Sequence, residues 1–82
     1  GVDNREKLFD GSIIIEFDQL PDLDSFADIN EILFVSDLSD ISRGVFKVIN
    51  LYELEDKISK FKLDSNILSI ELDTIDPAIT NQ

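Results

Sequence analysis

The chain has 82 residues, with 18 acidic and 7 basic side chains, a net charge of −11 and no His, Cys, Met or Trp. This supply excludes disulfides and thiolate chemistry, and it removes the usual side-chain ligands of zinc, copper and iron. The length allows one domain, and an apolar share of 43 % is that of a chain able to build a core.

In chain order, Ser12-Ile-Ile-Ile-Glu-Phe-Asp18 is β-branched and alternates. Ile13, Ile15 and Phe17 share one face; Ile14, Glu16 and Asp18 share the other, which predicts a strand. Pro21 to Ala27 opens like a short helix, because Pro and acids suit a first turn and Leu23, Phe26 and Ala27 fall on one side. Glu31 to Ser36 is apolar on both faces, as a strand covered twice would be. Asp37 to Gly44 links it onward, with Gly44 available for a positive φ. Val45 to Ile49 alternates weakly, Phe46 and Val48 opposing Val45, Lys47 and Ile49. Asn50-Leu-Tyr-Glu53 has capping-box spacing, and Leu51, Leu54, Ile58 and Phe61 then recur at helical steps. Asp64-Ser65-Asn66 makes a turn, and Asn66 to Asp73 alternates Leu68, Ile70 and Leu72 against Ser69, Glu71 and Asp73.

Strand–helix–strand–strand–helix–strand predicts an α+β domain: a small four-stranded antiparallel sheet with two short helices on one face, in the ferredoxin-like βαββαβ order. The alternative is an all-β sandwich in which Leu51 to Phe61 is mostly loop. The aromatic residues Phe9, Phe17, Phe26, Phe34, Phe46, Tyr52 and Phe61 are spread along the elements and read as core anchors. No apolar run approaches the ~18 residues of a membrane span, and no leader-like segment opens the chain. Gly1 stands where a reading frame would place Met, so residues 1–82 read as a single small domain excised or processed from a longer chain, its compartment undetermined.

Charge is distributed unevenly. From Leu8 to Ser42 there are nine acids and no base. Such a field repels phosphates and anionic lipid heads, so no direct nucleic-acid partner and no membrane insertion are expected. If helices cover the face carrying Ile13, Ile15, Phe17, Leu68, Ile70 and Leu72, the bare face presents Glu16 and Asp18 beside Glu71 and Asp73, with Lys47 offsetting Glu16. Asp22, Asp24 and Asp28 suggest a calcium loop, but Phe26, Ala27 and Leu33 occupy positions where a third ligand, a Gly and a bidentate Glu are needed. An acid cluster opening a helix accounts for them instead. No metal and no cofactor are therefore expected. No nucleophile–base pair, phosphate loop or dinucleotide fingerprint occurs, so the chain does not read as an enzyme.

Val35-Ser-Asp-Leu-Ser39 and Asn66 to Leu72 resemble stretches of the YbbR-type extracytoplasmic repeats, whose pattern includes a V-D-L-S run and a closing strand; Ser36 interrupts the first, and no function is carried over. The residues themselves point to a non-catalytic protein–protein interaction domain that uses Glu16, Asp18, Glu71, Asp73, Asp22, Asp24 and Asp28 against a partner with a basic surface. Two alternatives stand beside it: an acidic nucleic-acid mimic that inhibits a DNA- or RNA-binding protein, and a structural or assembly subunit of a larger complex. The oligomeric state is left open.

Overall fold

The alternating run beginning at Ser12 lies within strand β1, Leu8–Phe17, except for its last residue, Asp18. In this computed structural model, which describes the backbone of residues 8–75 and the side chains of residues 11–73, the strand begins before the alternation does. Gly11 makes the longer strand possible: its φ of 93° sits within a register irregularity between Phe9 and Ile13, a conformation that a residue with a Cβ resists. The Phe9 side chain, counted above among the core anchors, lies outside the described residues.

Helix α1, Leu23–Asn30, starts where an acid accepts a free amide: Asp22 is the N-cap, and its carboxylate accepts from the Ser25 N–H at 3.1 Å. Pro21 therefore lies one residue outside the cap rather than in the first turn. The helix ends at Glu31, whose left-handed backbone (φ 59°) lets its N–H reach the Ala27 and Asp28 carbonyls. Strand β2, Leu33–Leu38, leads through a 3-10 turn, Ser39–Ile41, into β3, Arg43–Lys47. The positive φ in this link falls on Ser42 (60°), not on Gly44. The Ser42 hydroxyl donates to the Phe17 carbonyl at 2.7 Å, which holds the turn against the end of β1. Gly44 instead lies within β3, where a Cβ would press on the Phe46 ring and Leu23 at 3.0–3.1 Å.

The expected second helix has a composite start. Asn50 precedes a 3-10 turn, Leu51–Glu53, and its side chain accepts from the Tyr52 N–H at 3.0 Å while its amide donates to Glu53 Oε2 at 3.4 Å. The reciprocal pair of the capping box is thus present in altered form. Helix α2, Leu54–Lys62, follows and buries Phe61. Because this segment is helical, the all-β sandwich is excluded. Strand β4, Ile67–Ile75, closes the chain.

The four strands form one open antiparallel sheet in the order β2-β3-β1-β4. Ile13, Ile15 and Phe17 from β1, Phe46 from β3, Val48 just beyond it, Leu23 and Ala27 from α1, Ile32 between α1 and β2, and Phe61 from α2 make one buried cluster. Both helices therefore pack on the β1 face chosen by alternation. Phe17 meets Phe26 edge-on, with centroids 5.1 Å apart and planes at 84°. Tyr52 departs from the expected anchoring role and is 97 % exposed, since it belongs to the 3-10 turn and not to the apolar stripe of α2.

Two expectations about burial fail for topological reasons. The run apolar on both faces suggested a doubly covered β2, but no described element covers its second face: Leu33, opposite Lys47, and Val35, within a register shift, remain about half exposed. On β4, Leu68 and Leu72 were both expected beneath the helices and are 58 % and 50 % exposed, Leu72 because β4 borders the sheet. A register shift pairs Glu16 with Ser69 but Phe17 with Ile67, so Leu68 becomes the extra residue of a bulge and Ile67 takes its place against the core.

Candidate functional site

No described element packs on the second face of the sheet. Its centre is a row across three strands, Val45–Ile14–Glu71, read from the pairing of Ile14 with both neighbours. The next row is Arg43–Glu16–Ser69. Glu16 therefore faces Arg43 rather than Lys47, which stands opposite Ser12. The Arg43 guanidinium lies 3.6 Å from the Glu16 carboxylate, with both side chains about one-third exposed. The Ser69 hydroxyl donates to the same carboxylate at 3.2 Å. Glu16 is thus tied into the sheet surface, and an ion pair this open contributes little stability. Arg43 Nε is shielded from solvent and makes no hydrogen bond.

The other acids expected on this face are placed differently. Glu71, exposed, is the diagonal neighbour of Glu16 across the β1–β4 ladder. Asp73, also exposed, lies further along β4, in the register irregularity between the pairs Ile13–Leu72 and Phe9–Thr74. Asp18 has left β1 and is aligned with Asn66 through its backbone N–H, which donates to the Asn66 carbonyl at 2.8 Å. Asp18 and Asp73 therefore stand ~20 Å apart along β4 by the rise per residue. Among the described residues the ion pairs are Glu16–Arg43 and Glu53–Lys57; Glu71 and Asp73 take part in neither.

Asp22, Asp24 and Asp28 belong to the helical layer, on the other side of the sheet from Glu71. Asp22 is committed to the N-cap, whereas Asp24 and Asp28 are exposed. Among the described residues no group of three or more His, Cys, Asp or Glu comes together in a geometry able to hold a metal ion. Near the end of α1, an open groove of ≈ 440 Å³ is lined by Glu31, Glu53, Asp56, Lys57 and Lys60. Lys57 crosses it to donate to the Asn30 carbonyl at 2.8 Å, placing a cation at the negative end of α1. Sequence reasoning missed this link, which joins residues 27 positions apart and carries no local signal. No described helix is long and apolar enough to cross a membrane.

Comparison of the chain with protein-family models, with curated proteins and with solved structures gave no match in any of the three.

Proposed function

We propose that this is a non-catalytic protein-interaction domain that meets a basic partner through acids on its surface. Glu71 and Asp73 form the centre of the contact, Glu16 and Asp18 extend it along the sheet, and Asp22, Asp24 and Asp28 supply a second acidic group on the helical side. The observation that carries this reading is the position of Glu71 and Asp73: exposed on an edge strand, with no cation paired to either among the described residues. Opposite charges across an interface steer encounter and select partners. A nucleic-acid mimic needs a continuous line of acids, and here Ile14, Val45, Arg43 and Lys47 interrupt the face. We also propose the ferredoxin-like assignment within the α+β class; the strand order β2-β3-β1-β4 with antiparallel neighbours supports it.

Retention on immobilised oligolysine tests the interaction reading, measured from low to physiological ionic strength. Retention of the native chain falls steeply with salt, and Glu71→Gln with Asp73→Asn lowers it several-fold at low salt. Neutralising Asp40 and Glu55, which removes the same charge elsewhere, has a much smaller effect. Equal losses from the two double substitutions would mean diffuse charge rather than a site, and would overturn the assignment.

A further inference from the structure

The core is unfinished at one border of the sheet. Phe46, Ile13 and Leu72 lie side by side on β3, β1 and β4; the first two are 0 % exposed and Leu72 is 50 % exposed. Nothing described flanks β4 on its outer side, so its outward N–H and C=O groups have no strand partner among the described residues. Next to Leu72, on the opposite face by strand alternation, stand Glu71, which pairs with Ile14, and Asp73. The β4 edge therefore presents an apolar residue on the helix side and carboxylates on the open side, in alternation.

The other edge is less suited to pairing. Strand β2 is broken by a register shift between Phe34 and Ser36, and Asp37 turns back to accept from the Ser39 N–H at 2.6 Å. Bulges of this kind turn an edge away from a further strand; β4 has its own bulge at Leu68, but Ser69 to Leu72 pair with β1 in unbroken register. A second copy is also a poor occupant for β4. Antiparallel pairing of two such strands sets Glu71 and Asp73 against identical carboxylates, and β4 carries no Lys or Arg; directly opposed like charges destabilise a pair.

We propose that the outer edge of β4 docks an extended segment of a partner as a fifth strand, one that alternates Lys or Arg with apolar residues. Its backbone completes the ladder, its apolar residues cover Leu72, and its cations meet Glu71 and Asp73. The proposal rests on the reading of Glu71 and Asp73 as partner-binding and adds the mode of binding.

The test uses the whole chain, isotope-labelled for NMR, and a short synthetic peptide alternating Lys and Val. Binding at low salt protects alternate amides between Ser69 and Asp73 from hydrogen exchange by about tenfold or more. Peptides N-methylated at either set of alternate residues keep the charge but lose a bonding edge, so one of the two loses this protection. Glu71→Lys with Asp73→Lys abolishes binding, with far-UV circular dichroism confirming the fold. If both N-methylated peptides bind as well as the parent, strand addition is wrong while the acidic contact stands. If the parent peptide does not bind, or a Glu–Val peptide binds equally well, the acidic contact fails too.

Discussion

The side-chain amide of Asn66 pairs with the backbone of Gln19 as a strand residue would: Oδ1 accepts from the Gln19 N–H and Nδ2 donates to the Gln19 carbonyl, both at 2.9 Å. The Asn66 carbonyl also accepts from Asp18, and Asp64 Oδ1 accepts from the Asn66 N–H at 2.9 Å. These bonds carry the β1–β4 pairing past its last ladder pair, Phe17 with Ile67. Asn66→Ala removes both side-chain bonds and is expected to cost about 1–2 kcal/mol. Asn66→Asp keeps an acceptor but turns a carboxylate toward the Gln19 carbonyl, so it does not rescue. Urea unfolding measures both, and an unchanged midpoint for Asn66→Ala would mean that water replaces the pair without loss.

Of the two described glycines, Gly11 is the less able to accept a side chain. Its φ is 93°, and a Cβ there would collide with the Val48 carbonyl oxygen; the Val48 N–H donates to the Gly11 carbonyl at 2.7 Å. Gly11→Ala is expected to destabilise by about 2 kcal/mol or more. Gly44→Ala is the useful comparison, because its φ is ordinary and its obstruction is the movable rims of Phe46 and Leu23. Thermal unfolding should rank Gly11→Ala as the more damaging change, and the reverse order would contradict the backbone account.

Burial separates residues that alternation treats alike. Phe46→Ala empties the middle of the cluster and is expected to cost about 3–5 kcal/mol, comparable with the whole stability of a domain this small. Leu72→Ala, in the same cross-strand row, should cost under about 1.5 kcal/mol, since half of that side chain is already in water. Chemical denaturation checks the contrast. Equal losses at the two sites would show that the β4 border is covered in solution.

Self-repulsion sets the response to salt. With 18 acids against 7 bases, added salt should raise the unfolding temperature by several degrees, equivalent to about 1 kcal/mol at this size. Helix α1 localises part of this effect, because Asp24 and Asp28 stand four apart on one helix and its last turn holds no base. Asp28→Lys replaces a like-charge pair with an opposite one and places a cation near the helix C-terminus. It should stabilise by about 0.5–1 kcal/mol and flatten the salt response. A variant as salt-sensitive as the native chain would place the repulsion elsewhere.

The periods of the chain were enough to locate four strands, two helices and the inward face of β1, because Ile13, Ile15 and Phe17 can all be buried only by lying on one side of a pleat. They were enough to identify Leu54 and Phe61 as inward residues of α2 and to anticipate the link between Asn50 and Glu53, whereas Leu51, placed in the same stripe, lies in the 3-10 turn and is 49 % exposed. Net charge alone made acidic groups the leading candidates for recognition. The candidate site was less legible. Seven acids named together divide between two sides of the sheet, with Asp22 used as a cap and Glu16 bound to Arg43 and Ser69.

Tertiary structure alone decided that β2 and β4 lie at the borders, that Leu68 sits in a bulge, that Arg43 rather than Lys47 meets Glu16, and that Lys57 reaches the end of α1. Each depends on strand order or register, which arise from contacts between segments distant along the chain. A local pattern tells which way a side chain points from its own strand. Whether anything lies beside that strand to cover it is settled only when the other strands take their places.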